Sequence, residues 1–268
     1  FSALVYAGLI IGIAVIFKNV GPPVRGFTWK QRFESLPPAL PIVAVVVIII
    51  FFVYNPFGDA WGTPTEGGAV GAFIVFLVAL YRGMRWAKLK DALLETAKLT
   101  VMIFSIIWGV LIYVRFLGFA DLPGVFSDWI TSLDMAPLLI LICILLAYAV
   151  LGMFMDAIGM LLLTLPVVYP AVMALNGGEY VTVADSAFGM SGTMCAIWFG
   201  ILVIKMAEFC LITPPIGLNC FVVAGVRDDL TVQDVFKGVT PFFLADGVTI
   251  ALLVTFPGIV LWLPSLVG

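Results

Sequence analysis

Apolar stretches of about 20 residues, the length that spans the core of a bilayer, recur along the whole chain between short polar connections. This pattern predicts an all-α polytopic membrane protein. The predicted segments cover residues 2–17, 40–54, 69–81, 99–118, 136–170, 191–226 and 240–263.

The charges of the connections predict the orientation of these segments. Residues 18–35 and 82–98 are rich in Lys and Arg, whereas 119–135 and 176–189 carry acidic residues and neither Lys nor Arg. Short basic loops stay inside, so the first two connections are predicted inside and the last two outside. Residues 136–170 then enter and leave on the outer side, which predicts a helical hairpin. Within the second basic connection, residues 84–98 are typical of an amphipathic helix at the membrane interface.

Composition narrows the function. The chain is 63% hydrophobic and 11% charged, and it contains no His, which is the commonest metal ligand and acid–base group. The four Cys lie in apolar runs without CxxC spacing and are expected to be small buried side chains. No nucleic-acid patch and no catalytic motif is present, so neither a nucleic-acid partner nor an enzyme is expected.

Three apolar segments are interrupted by Gly or Pro together with a side-chain oxygen. The interruptions are "WGTPTEGGAVG" at 61–71, "LGMFMDAIGM" at 151–160 and "ITPPIGLN" at 212–219. Non-helical backbone at membrane depth survives only inside protein or beside a wet cavity, and secondary transporters bind ions and substrate at such breaks. The alternative is that each interruption is only a kink, since Gly and Pro are frequent in membrane helices.

Individual charged residues allow two interpretations each. Asp156 is a costly carboxylate within an apolar hairpin, which favours a functional role, but it also suits the N-cap of the next helix. For Glu66, which follows Thr63 and Pro64, capping is the preferred interpretation. Lys205 and Glu208 have the spacing of an ion pair on one helix face, and the alternative is that Lys205 holds a substrate carboxylate.

These residues resemble a known family. The stretches "TPTEGGAVGA", "LGMFMDAIGMLLLTLPVVYP" and "WFGILVIKMAEFCLITPPIGLNCFVVAG" are similar to the large membrane subunit of tripartite ATP-independent periplasmic (TRAP) transporters. The resemblance implies an elevator-type fold of the bacterial inner membrane with inverted repeats, re-entrant hairpins and broken helices. It also implies sodium-coupled uptake of an organic acid, a periplasmic binding protein that delivers the acid, and a small membrane subunit beside the large one.

The resemblance assigns roles to positions in this sequence. Residues 1–98 are then scaffold-type helices that end in the cytoplasmic interfacial helix 84–98, and residues 99–268 form the second-repeat domain. That domain contains the hairpin 136–170 and the broken helix 191–226. The implied sodium ligands, mostly backbone carbonyls, are Gly152, Met155, Asp156, Thr213 and Gly217. The implied substrate-binding residues are Asp156, Thr213, Pro214 and Asn219.

The family's large subunit is longer than this chain, so the sequence is expected to be its C-terminal part. The rival interpretations are a secondary transporter of another family and a membrane scaffold subunit that transports nothing. The scaffold interpretation predicts that the three interruptions are mere kinks.

Overall fold

The computed structural model describes residues 2–16, 36–54, 61–215, 217–226, 229–262 and 264–267. All regular secondary structure in these ranges is α-helical, which confirms the predicted fold class. The predicted inside loop 18–35 lies outside the described residues. The helices are α1 Ser2–Ile16, α2 Leu36–Tyr54, α3 Pro64–Tyr81, α4 Trp86–Phe119, α5 Leu122–Thr131, α6 Pro137–Gly152, α7 Ala157–Asn176, α8 Gly192–Cys210, α9 Leu218–Val226, α10 Val232–Thr255, α11 Gly258–Leu261 and α12 Pro264–Val267.

Five of the described helices, namely α3, α4, α7, α8 and α10, are long and apolar enough to cross a membrane. The hairpin predicted for 136–170 is formed by α6 and α7, and it ends at Asn176 rather than 170. At 1.5 Å per residue its arms are about 24 and 30 Å long, so the second arm reaches the thickness of a bilayer core.

Contacts divide the chain into two compact units. The smaller unit, residues 22–103, contains α2 and α3 packed against each other. A Cβ on Gly71 would overlap the Ile49 side chain, and one on Gly67 would lie 2.8 Å from Val53 Cγ2. Small residues at these two positions therefore let the two helices approach closely, as is common between membrane helices.

The larger unit, residues 1–21 and 104–268, holds the main core. Here α8 packs against α6, α7 and α10, and the Trp198 indole on α8 donates a hydrogen bond of 2.9 Å to Leu253 O. Helix α1 belongs to this unit, where it packs against α10. The largest fully buried side chains include Trp198, Tyr148, Phe199, Leu141, Met160 and Leu202.

Three of the cysteines, Cys195, Cys210 and Cys220, are buried as expected. The expectation is wrong for Cys143, which is exposed. Cys143 lies between the exposed Ile142 and the buried Ile144 and Leu145, at the edge of the core-facing stripe of α6. An apolar run predicts a membrane helix but not which of its faces is covered.

Several helix boundaries differ from the prediction. Residues 84–98 and 99–118 were expected to be two elements, but α4 is one helix from Trp86 to Phe119. No Gly or Pro lies between 86 and 108 to end it, and at 1.5 Å per residue its length is about 51 Å. The orientation of 84–98 at the membrane stays a prediction.

The last apolar helix begins earlier than the predicted residue 240. A capping box in which Thr231 and Asp234 bond each other's backbone starts α10 at Val232. The predicted outer connection 119–135 contains α5, because Phe126 and Ile130 share a helix face and Ile130 is buried in the core.

Candidate functional site

The tip of the hairpin is a short non-helical connection, residues 153–156. The Asp156 carboxylate caps α7, since its Oδ2 accepts hydrogen bonds from the backbone N–H of Ile158 at 3.1 Å and of Gly159 at 3.5 Å. The capping interpretation of Asp156 is therefore confirmed, and it leaves the second carboxylate oxygen for another ligand. Among the described residues, the carbonyl oxygens of 152–155 accept no backbone hydrogen bond.

The second break separates α8 from α9. Helix α8 ends at Cys210, and α9 begins at Leu218. Thr213 is 1% exposed, and its hydroxyl donates a hydrogen bond of 2.7 Å to Phe209 O. Beyond it, Gly217 takes a φ of +47°, a region that favours glycine. Both breaks in the larger unit thus end one helix and start another, so the interpretation as kinks is wrong for them.

The two breaks lie directly against each other. A Cβ on Gly152 would overlap the Cys210 side chain, whose Sγ lies 3.4 Å from Tyr148 O. Between them is a cavity of about 170 Å³. The cavity is lined from the hairpin by Gly152, Phe154, Met155 and Asp156, and from the broken helix by Cys210, Leu211, Gly217 and Leu218.

The structure brings together only part of the predicted site. Gly152, Met155, Asp156 and Gly217 line this cavity. Thr213 and Pro214 instead line a neighbouring cavity of about 390 Å³, whose other walls include Met153 and residues of α10. Asn219 lines neither cavity; its side chain is exposed, and its backbone N–H donates to Leu211 O at 3.1 Å.

The oxygens around the smaller cavity suit a hard cation. The hairpin tip offers backbone carbonyls that accept no hydrogen bond among the described residues, together with a carboxylate oxygen of Asp156. Backbone carbonyls of this kind coordinate the coupling cation at the unwound helices of secondary transporters. The residues present therefore fit a small cation held mainly by the backbone.

At the start of α3, the preferred interpretation of Glu66 is confirmed. The Glu66 side chain accepts from Thr63 N at 2.7 Å, while Thr63 Oγ1 accepts from Glu66 N at 3.3 Å. This reciprocal pair is a capping box. Thr63 and Glu66 of the interruption at 61–71 thus have a local structural task.

A buried charge cluster lies deeper in the larger unit. Lys205 Nζ on α8 lies 2.8 Å from Glu208 Oε2, which confirms the predicted pair, and 2.6 Å from Asp246 Oδ1 on α10. The Tyr6 hydroxyl of α1 is 3.5 Å from the same nitrogen. Sequence reasoning gave Asp246 no role, because its partner is far away in the sequence and only the packing of α8 on α10 joins them.

The outer connection 177–191 is fastened by a residue that sequence reasoning missed. Asn176 is fully buried; its side-chain amide donates to Met190 O at 3.1 Å and its carbonyl accepts from Phe188 N at 3.2 Å. Gly192 closes the connection from the other side, since a Cβ there would overlap the carbonyl of Glu179. The Asn-Gly-Gly sequence at 176–178 signals a turn but not this clamp.

Comparison with known proteins identifies the family. Residues 1–259 match the family described as "Tripartite ATP-independent periplasmic transporter, DctM component". A C4-dicarboxylate TRAP transporter large permease protein of Pseudomonas aeruginosa is 28% identical over 277 residues and covers 100% of this chain. A 2,3-diketo-L-gulonate TRAP transporter large permease protein of Escherichia coli is 32% identical over 237 residues, 88% of this chain.

A third relative is a sialic acid TRAP transporter large permease protein of Vibrio cholerae, 27% identical over 239 residues, 88% of this chain. The chain spans 60%, 50% and 51% of the lengths of these three relatives. The match extends through both interruptions of the larger unit. The chain therefore belongs to the family of large permease components of TRAP transporters, multi-pass proteins of the bacterial inner membrane.

Proposed function

We propose that this chain forms part of a sodium-coupled transporter that takes up an organic acid. The observation that carries the proposal is the cavity between the hairpin tip and the broken helix. Asp156 lines it together with Gly152, Phe154 and Met155, whose carbonyls accept no backbone hydrogen bond among the described residues. At membrane depth, carbonyls without a partner are costly, and a small cation offsets that cost. Sodium binding then holds the tip of the hairpin against the broken helix.

The named relatives support an organic acid as substrate. They are named for C4-dicarboxylates, 2,3-diketo-L-gulonate and sialic acid, all of which carry a carboxylate. The adjacent cavity with Thr213 and Pro214 offers the acid a place beside the cation, with Thr213 as a polar contact. A cation next to this position attracts the carboxylate and lowers the cost of bringing it into the membrane.

Coupling is proposed to act through the hairpin tip, which contributes residues to both cavities. Met153 lies on the larger cavity and its neighbours Gly152 and Phe154 on the smaller one, so an ion that orders the hairpin tip also orders the wall that meets the substrate. By linkage, sodium and substrate each raise the other's affinity by the same factor. An elevator-type movement of the larger unit would carry both across the membrane.

The transporter is proposed to work as an assembly, with a periplasmic binding protein that delivers the acid and a small membrane subunit. The test is uptake into proteoliposomes that contain the complete membrane assembly, with and without the binding protein. Uptake that needs an inward sodium gradient and the binding protein supports the proposal. Uptake driven by a proton gradient and indifferent to sodium rejects sodium coupling. An assembly that binds the loaded binding protein yet moves no acid under either gradient points to a scaffold.

A further inference from the structure

A cationic cleft lies at the turn between α3 and α4, away from the cavities of the larger unit. Its volume is about 530 Å³. Helix α3 ends at Tyr81 and α4 begins at Trp86, and Gly83 makes the turn with a φ of +80°. The cleft is lined by Ala79, Arg82, Gly83, Met84, Arg85 and Lys88, which include three cations and no carboxylate.

The three cations have no counter-ion among the described residues. Arg82, Arg85 and Lys88 are exposed, and none of them forms an ion pair with any residue in the part of the chain that the structure describes. The acidic side chains that follow in α4, Asp91 and Glu95, do not line the cleft. Like charges that converge without a carboxylate favour an anionic ligand between them.

The surroundings place the cleft at the level of lipid headgroups. Helix α3 is a candidate membrane span, and the cleft begins at its last turn. Tyr81 and Trp86 flank the turn and are 94% and 75% exposed. Exposed Tyr and Trp at the end of a span are typical of the membrane–water interface, and the basic turn is predicted to lie on the cytoplasmic side.

Below the cations, the surface of α3 is apolar. Val75, which lies one helical turn before Ala79 on the face of α3 that lines the cleft, is 53% exposed. A ligand that fits both parts has an anionic head and hydrocarbon tails, whereas free phosphate uses only the cations. Basic pockets beside membrane helices on the cytoplasmic side bind the headgroups of anionic lipids in this way.

We propose that Arg82, Arg85 and Lys88 form a binding site for the headgroup phosphate of an anionic phospholipid. The lipid tails lie along the face of α3 that carries Val75 and Ala79. The site holds the turn between α3 and α4 at the interface, and it gives the smaller unit a fixed depth in the bilayer. Nothing in the proposal depends on sodium coupling.

The chain offers a matched pair of variants for the test. R85Q/K88Q removes two cations from the cleft, and K90Q/K98Q removes two cations of α4 that do not line it. Both variants change the net charge equally. All four side chains are exposed, so both should fold, and an unchanged melting temperature in detergent checks this.

The measurement is lipid binding to the delipidated full-length protein by native mass spectrometry, with phosphatidylglycerol as the probe. Each cation near an anionic lipid contributes roughly a fivefold factor in affinity, so R85Q/K88Q should weaken the tightest binding event by at least about tenfold. K90Q/K98Q should leave it within about twofold of the wild type.

Three results would overturn the proposal. Equal losses in both variants would mean that only diffuse charge attracts the lipid. Phosphatidylcholine that binds as tightly as phosphatidylglycerol would remove the role of net negative charge. Inorganic phosphate that displaces the lipid at equal concentration would identify a site for free phosphate instead.

Discussion

Gly152 at the end of α6 packs directly against Cys210 at the end of α8, with no room for a Cβ between them. The two helix ends that border the proposed ion site are therefore in contact, although 58 residues separate them in the sequence. The contact fixes the distance between the carbonyls of the hairpin tip and those of the broken helix. Loss of this contact should therefore change ion binding more than it changes the rest of the fold.

Gly152→Ala should push the hairpin tip away from Cys210 and weaken sodium dependence of uptake. Overpacking of a close contact costs about 1–3 kcal/mol, so the half-saturating sodium concentration should rise by about fivefold or more if the strain falls on the tip. Gly159→Ala is the matched control, since a Cβ there meets nothing within 4 Å. Equal sodium dependence in the two variants would show that the contact does not shape the site.

The buried pair of Lys205 and Asp246 should be a stability element. Among the described residues, Asp246→Asn leaves Lys205, which is 5% exposed, with the half-exposed Glu208 as its counter-ion. Breaking a buried pair by removing one partner costs about 3–5 kcal/mol. Thermal unfolding in detergent should therefore show a large loss for Asp246→Asn and a small one for Glu208→Gln.

The double variant K205M/D246L tests whether the loss of stability in Asp246→Asn comes from the unpaired charge of Lys205 or from altered packing. It removes both charges together, so no buried charge is left alone, and its stability should recover toward that of the wild type. A double variant as unstable as Asp246→Asn would contradict this interpretation of the pair.

Asn176→Ala should loosen the outer connection 177–191. The substitution leaves Phe188 N–H and Met190 O without their partner, and a buried group without a partner costs about 1–3 kcal/mol. Hydrogen exchange at Phe188 should speed up by on the order of tenfold or more, since 1.4 kcal/mol is a factor of ten. Ser186→Ala, which removes one exposed hydrogen bond to Val183 O, is the control and should leave Phe188 protected.

Residues 82–98 should be cytoplasmic, and 119–135 and 176–189 periplasmic. Single cysteines, introduced after replacement of the four native ones, report the side by labelling with a membrane-impermeant reagent. A cysteine at the exposed Tyr180 should label in intact cells, and one at Lys90 only after permeabilisation. Labelling at position 180 only after permeabilisation would place the connection 176–189 in the cytoplasm and contradict a hairpin that enters from the periplasm.

The sequence predicted the local features of this fold and missed those that need distant partners. Apolar runs located the helices, and interruptions that contain Gly or Pro located both breaks of the larger unit. Membrane spans and helix ends depend on residues that are close together in the sequence. The bond between Lys205 and Asp246 and the clamp by Asn176 depend on tertiary packing. The spacing of charges along the chain carries no trace of them.

The candidate site shows the same division. The residue types at the hairpin tip and at Thr213–Gly217 indicated an oxygen-lined break, but not that Asp156 and Thr213 line different cavities. The cap formed by Asp156 was foreseen as an alternative, since Asp before a helix is a local signal. The continuity of α4 was missed. A change from basic to apolar residues marks where a segment enters the membrane, but it does not end a helix.

We propose that the hairpin tip and the broken helix bind sodium between them. Asp156→Asn keeps the shape of the side chain and an oxygen that can cap α7, but it removes a charge from the smaller cavity. Thr213→Val removes a buried hydroxyl at similar volume. The controls are Asp185→Asn, an exposed outer carboxylate, and Thr96→Val, an exposed threonine that also bonds the carbonyl four residues earlier.

The most direct measurement is the sodium-concentration dependence of uptake by the full assembled transporter for the wild type and these four variants. We expect the half-saturating sodium concentration to rise at least about fivefold for Asp156→Asn, since even a solvated charge at contact distance contributes about 1 kcal/mol or more. A smaller rise is expected for Thr213→Val and none for the two controls. Identical sodium dependence in all five proteins would contradict a sodium site between the two breaks.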